Sequence, residues 1–348
     1  MQGRGTAENP ASRFDRLSYE PDVDLSEDQQ SVPDTQVFRD KSRSLITYND
    51  SPDVGFEASL NPYRGCEHGC IYCYARPTHE YLGLSAGLDF ETRIFAKIEA
   101  RHLLKKELAS SSWKPQTLAI SGVTDPYQPI ERRLQLTRGC LEVLADFRNP
   151  VVVITKNHLV TRDIDLLGGL AANKAAAVFL SITTLDANLA GKLEPRASRP
   201  DRRLAAIETL ARSGVPAGVM VAPVIPGLTD HEMPAILNAA AQAGARSAGY
   251  VLLRLPYGVR DLFEDWLARH FPERKEKVLN RIRETRGGNL NDPRFGTRMR
   301  GEGPYSDQLS QLFNVARRQA GIEQRNASLS TAAFRRPHGQ MELFREPD

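Results

Sequence analysis

The chain has 348 residues, a hydrophobic fraction of 41% and a formal net charge of +3. It is long enough for one large domain with extensions or for two domains, and apolar enough for a sizeable core. It has no apolar run long enough to span a membrane, and its opening MQGRGTAENPASRF lacks the apolar stretch of a secretion signal, so no membrane partner and a cytoplasmic location are expected.

Residues 1–54 are rich in Asp, Ser, Gln and Pro and hold no apolar period, which reads as an extended or partly disordered leader. Phe38, Leu45, Ile46 and Tyr48 are its anchors for a main domain. From 55 to 260, short apolar runs alternate with amphipathic ones. Strands are expected at 56–63, 117–123, 151–155, 176–184, 215–225 and 248–256. Helices are expected at 90–109, 136–147, 163–173, 200–214 and 231–244, with Gly214 as a stop. About six strand–helix units with continuous apolar strands argue for an α/β fold with a parallel sheet, an open partial (β/α)6 TIM-like barrel. Its chemistry belongs at the C-terminal ends of the strands. Residues 261–324 read as a helical C-terminal extension, with helices at 261–271, 273–288 and 303–321, and 325–348 as a loose polar tail.

Charge is uneven along the chain. Residues 1–60 carry six Lys/Arg against twelve Asp/Glu, whereas residues 271–300 carry nine against four. The basic stretch from Arg274 to Arg300 suits a phosphate backbone, with Phe295 among Arg294, Arg298 and Arg300 as a stacking platform. It suits equally a solvated helix face followed by a loop.

Three of the four cysteines lie within eight residues, in NPYRGCEHGCIYCYARP at 61–77. A tight cluster in a chain without a secretion signal points to metal rather than to a disulfide framework. Thiolates of Cys66, Cys70 and Cys73 can hold three irons of a cubane and leave the fourth without a protein ligand, an open position for substrate. Arg64 and Arg76 flank the loop and are placed to offset the cluster's charge. A structural zinc site using His68 or His79 as fourth ligand is the plainer alternative. Cys140 falls inside a helix and reads as a small buried hydrophobe.

The CxxxCxxC loop, with Tyr72 before its third cysteine, resembles the signature of the radical SAM superfamily. The resemblance implies a [4Fe–4S] cluster, S-adenosyl-L-methionine chelated to the open iron, and reductive cleavage to a 5′-deoxyadenosyl radical. It also implies an external one-electron reductant of flavodoxin or ferredoxin type. TDPYQPIE (124–131), LEPRA (193–197) and FGTRMRGEG (295–303) resemble a narrower group related to spore photoproduct lyase, over about residues 40–320. By that resemblance Tyr72 contacts the adenine through its backbone, Thr124 lies near the methionine amino group, and Lys156 pairs with the methionine carboxylate. Ser181 reaches the ribose and Ala222 lies against the adenine. Read as residues alone, Lys156 fits a surface strand end, and Thr124 and Ser181 fit caps or turns. Asp125 and Glu131 fit a capping or turn pair.

The resemblance has a gap. Spore photoproduct lyase returns hydrogen from a cysteine just after its second strand, and this chain has Ser121-Gly122-Val123-Thr124 there. Repair of a thymine dimer by that chemistry is therefore not expected. Tyr127 and Tyr257 are tyrosines at strand ends that suit a radical relay only as common residues do. A nucleic acid or nucleotide is the substrate the group favours. The rival functions are an iron–sulfur protein for electron transfer or redox sensing, and a zinc-stabilised binding module.

Overall fold

The β-branched runs become the strands of one open sheet. The computed structural model describes residues 3–14, 34–322 and 329–337. In chain order the strands are β1 (Gln36–Arg39), β2 (Ile46–Tyr48), β3 (Ala58–Leu60), β4 (Tyr63–Arg64), β5 (Arg93–Ala96), β6 (Leu118–Ile120), β7 (Val151–Thr155), β8 (Ala176–Ser181), β9 (Ala217–Val224) and β10 (Ser247–Leu252). The helices are α1 (Leu88–Thr92), α2 (Ala100–Ala109), α3 (Glu131–Leu134), α4 (Leu136–Phe147), α5 (Ile164–Ala171), α6 (Ala187–Leu193), α7 (Pro200–Arg212), α8 (Met233–Gln242), α9 (Val259–His270), α10 (Lys275–Glu284) and α11 (Pro304–Gln319).

The larger sheet runs β10-β9-β8-β7-β6-β3-β2. Strands β3, β6, β7, β8, β9 and β10 are parallel, and β2 adds to the edge antiparallel. Since β2 and β10 are both edges, this is a partial (β/α)6 barrel with an open side. The sequence of β8 explains its place in the middle: all six of its residues are buried, as in a parallel strand covered on both faces. Helix α4 buries the stripe Cys140, Leu141, Val143, Leu144 and Phe147 against the sheet. Helix α7 starts at Pro200, whose fixed φ suits a first turn, and the chain leaves it at Gly214 with φ +73°.

A second core joins the cysteine loop to the C-terminal helices: Cys70, Ile71 and Tyr72 pack with Phe263, Trp266 and Leu267 of α9 and with Leu279 and Ile282 of α10. The Trp266 indole also donates to the Lys192 carbonyl at 3.0 Å. The extension therefore supports the loop from outside the barrel.

The structure departs from the sequence expectation in several places. The single helix expected at 90–109 is α1, β5 and α2, because Arg93–Ala96 finds a strand partner in β1, more than fifty residues earlier. The strand expected at 56–63 is split into β3 and β4 around Asn61-Pro62, proline having no N–H for a ladder. Of the leader's anchors, Leu45 and Ile46 are buried, whereas Phe38 stacks on Phe95 at the surface and Tyr48 is exposed. Residues 329–337 of the tail are docked: Ser330 N donates to the Lys174 carbonyl and Arg335 N to the Phe147 carbonyl, both at 2.9 Å. The remainder of the leader and tail expectations, at 1–2, 15–33, 325–328 and 338–348, lies outside the described residues. No described helix is long and apolar enough to cross a membrane.

Candidate active site

The cysteine loop follows β3 and β4. Two left-handed glycines, Gly65 (φ +78°) and Gly69 (φ +66°), bend it. Cys66 N donates to the Phe90 carbonyl (2.9 Å) and Ile71 N to the Leu193 carbonyl (3.0 Å). Arg76, fully buried, donates from Nε to the Cys70 carbonyl (3.0 Å), from Nη1 to the Ala86 and Gly87 carbonyls, and from Nη2 to Glu91 (2.6 Å). The same Glu91 accepts the backbone N–H of Gly5 (2.9 Å) and Thr6 (3.1 Å). Residues 3–14 are thus a strap across the back of the loop. A Cβ at Gly5 would collide with the Gly69 carbonyl. Gly5→Ala is expected to lower unfolding free energy by about 1–3 kcal/mol, the usual cost of an inserted methyl in a tight contact, read by urea titration.

The two flanking arginines expected to offset the cluster's charge have carboxylate partners of their own. Arg64 is half exposed and paired with Asp40 at 2.5 Å. Arg76 is paired with Glu91, although it still draws the Cys73 thiol down against the upward push of burial. Burial, with Asp125 adding to it, pushes the Cys66 thiol up, and burial with Glu194 does the same to Cys70. As thiols the three are at ease; as thiolates they need a cation to share their charge. Among the described residues no three Cys, His, Asp or Glu side chains converge on one point as a single ion requires. Three thiols on one loop, one for each of three irons, are by their chemistry the donor set of a cubane. His68, a candidate fourth ligand for zinc, is engaged at both ring nitrogens, Nδ1 with Asp125 (3.4 Å) and Nε2 with Asn157 (3.2 Å). His79 is bonded to the Arg93 carbonyl and does not line the cavity that the thiols face.

That cavity, about 590 Å³, is lined by Cys66, Cys70 and Cys73 together with the five residues expected to contact S-adenosylmethionine: Tyr72, Thr124, Lys156, Ser181 and Ala222. The fold brings together positions up to about 150 residues apart: the thiols and Tyr72 lie on the loop after β4, Thr124 and Lys156 follow β6 and β7, Ser181 ends β8, and Ala222 lies near the end of β9. Lys156 Nζ donates to the Ala222 carbonyl (2.9 Å) and lies 3.3 Å from Glu194 Oε1, so it is a partly buried, engaged cation rather than a free surface one. Thr124 lines the cavity, and its Oγ1 donates to the Tyr63 carbonyl (3.1 Å). Ser181 is buried, and its carbonyl accepts from Arg203 Nη1 at 2.8 Å. Asp125 and Glu131 do not pair with each other. Asp125 accepts from Thr155 Oγ1 (2.6 Å) and Lys156 N (2.7 Å). Glu131 accepts from Tyr63 and from Arg162. Cys140 is fully buried in α4 and Tyr127 is buried against Asp163; neither lines the cavity.

Sequence reading missed the charge centre of the site. Glu194 is buried and receives Arg203 Nη2, the Tyr72 hydroxyl, Thr183 Oγ1 (2.7 Å) and Lys156. Burial would raise its pKa, but Arg203 and Lys156 outweigh burial and hold the carboxylate well below its ordinary value. Glu194 opens the EPR of LEPRA, and an acidic residue beside a basic one in a short motif was the only signal available.

A family model described as the Radical SAM superfamily matches residues 60–240. An uncharacterised protein of Mycobacterium tuberculosis is 38% identical over 231 residues, covering 66% of this chain and 67% of its own. A protein of Pseudomonas phage M6 named Radical SAM Nalpha-GlyT isomerase is 24% identical, over 63% of this chain and 43% of its own. Among solved structures, a variant of spore photoproduct lyase superposes with a TM-score of 0.58 at 16% identity, over 88% of this chain and 89% of that one. That last likeness is one of fold.

Proposed function

We propose, from the premise that this chain belongs to the radical SAM superfamily, that the cavity at its barrel mouth is the radical-generating site, with Cys66, Cys70 and Cys73 as ligands of a [4Fe–4S] cluster. The family and fold make it an enzyme of radical chemistry. The observation that supports the finer reading is the presence of all three thiols together with Tyr72, Thr124, Lys156, Ser181 and Ala222 on one cavity. When bound, the cluster supplies the electron that cleaves S-adenosylmethionine to a 5′-deoxyadenosyl radical.

The chain's own residues bind and orient. Lys156, held by Glu194 and the Ala222 carbonyl, presents an ammonium to the methionine carboxylate. Ser181 and Thr124 offer hydroxyl oxygens to the ribose and the methionine amino group, and Ala222 gives an apolar wall to the adenine. The extension and the strap exclude water behind the loop. An external flavodoxin- or ferredoxin-like reductant is required, and three reduced thiols suit a cytoplasmic setting. A nucleic acid or nucleotide is the substrate class. Ser121-Gly122-Val123-Thr124 has no thiol to return hydrogen, so repair of a thymine dimer by the chemistry of spore photoproduct lyase is not expected.

The test is anaerobic reconstitution followed by electron paramagnetic resonance of the reduced protein. The cluster signal is expected to change when S-adenosylmethionine is added, because it gains a ligand; an unchanged signal supports the electron-transfer reading instead. Lys156→Met is expected to weaken S-adenosylmethionine about 10–100-fold by equilibrium dialysis, the worth of a charge-assisted hydrogen bond of about 1.5–3 kcal/mol.

A further inference from the structure

Most of the basic stretch near the C-terminus is committed internally. Arg294 is paired with Asp292 (2.9 Å) and Glu302 (2.8 Å), and Arg298 with Asp53 and Ser51, each at 2.5 Å. Arg286 is buried and donates to the carbonyls of Leu253, Thr297 and Arg298, which ties the end of β10 to the loop at 294–300. Two cations on the cavity are different. Arg254, just past β10, has a buried Nε with no hydrogen-bond partner, and its Nη1 reaches only the Met299 sulfur at 3.8 Å. Its guanidinium lies over the Tyr74 ring at 5.2 Å. Arg300 is exposed and lines the same cavity. Asp53 is the carboxylate beside them, and it is taken by Arg298 and by Gly296 N. Three guanidinium groups against one carboxylate leave this wall positive.

Arg254 is only partly buried, but its Nε is buried, and a buried donor without a partner is costly unless an anion completes it. Its planar fork matches a phosphate in two parallel hydrogen bonds. Half-exposed Tyr74 lines the cavity and gives a stacking face, and half-exposed Phe295 lies 4.3 Å from the Arg298 guanidinium, which itself binds Asp53. The Tyr250 hydroxyl, further along β10, is a second orphan donor in the cavity. We infer that Arg254 and Arg300 bind a phosphate group of the substrate, a phosphoester carried by a nucleotide or a nucleic-acid strand. The inference rests on the proposed radical site and deepens it by assigning the substrate's anion to the open side of the barrel.

The test uses the reconstituted full chain with S-adenosylmethionine, fluorescence anisotropy of a labelled oligothymidylate, and competition by thymidine monophosphate. Arg254→Gln and Arg300→Gln are each expected to weaken binding about tenfold or more and to lower the salt slope by about one. Arg254→Lys, which keeps the charge without the fork, should fall between, and Arg294→Gln should bind as wild type. Displacement by the mononucleotide at similar affinity assigns the phosphate to a nucleotide; displacement only at far higher concentration assigns it to a strand. The inference is overturned if wild type binds neither probe, or if Arg254→Gln and Arg300→Gln bind as wild type does. Because 5′-deoxyadenosine formation is read separately, a protein that makes it yet binds neither probe refutes this site and leaves the radical reading standing.

Discussion

Glu194→Gln is expected to destabilise the protein by about 3–5 kcal/mol, measured by urea unfolding. Arg203 is almost wholly buried and donates to Glu194, so removing the carboxylate strands a guanidinium in the interior. Lys156 and Tyr72 lose their anchor in the same step, and S-adenosylmethionine affinity should fall with stability. The pH dependence has a definite sign. Burial opposes ionisation of Glu194, but Arg203 and Lys156 hold its pKa well below the unfolded value of about 4.3. A carboxylate lowered in the fold adds stability above its unfolded pKa and loses it as pH falls through the folded one. Wild type should therefore lose stability from about pH 4 downward, and Glu194→Gln should show a flatter acid limb.

Cys66→Ala, Cys70→Ala and Cys73→Ala are each expected to reduce reconstituted iron from about four per chain to near zero, because each removes one of three protein ligands. Cys140→Ala should keep its iron, since that thiol is buried in the core and does not line the cavity. Iron and acid-labile sulfide, measured after desalting, give the comparison. Iron retained by Cys70→Ala at the wild-type level would remove that residue from the ligand set.

The parts of this fold that were legible in the sequence are those whose pattern is local. Leu136–Phe147 and Val151–Thr155 were delimited correctly because one has a helical apolar stripe and the other is an unbroken β-branched run. Arg93–Ala96 was not, since its strand character comes from β1, whose own sequence shows no apolar alternation. The strap at residues 3–14 is polar and is fixed through Glu91, a tertiary partner that composition cannot reveal. At the site, the cysteine spacing was visible as a motif, and Lys156 came into view only through the resemblance it supports. The Glu194–Arg203 pair was hidden because its members are nine residues apart across a loop and a helix start, and only burial makes them consequential. Arg254 was hidden for the opposite reason: a missing partner leaves no mark in a sequence.

The most direct measurement follows 5′-deoxyadenosine by chromatography after anaerobic reconstitution with iron and sulfide, reduction with dithionite and addition of S-adenosylmethionine. Wild type should form it and Cys70→Ala should not. A wild-type protein that takes up zinc in preference to iron, or that forms no more 5′-deoxyadenosine than Cys70→Ala, would contradict a radical-generating site at this barrel mouth.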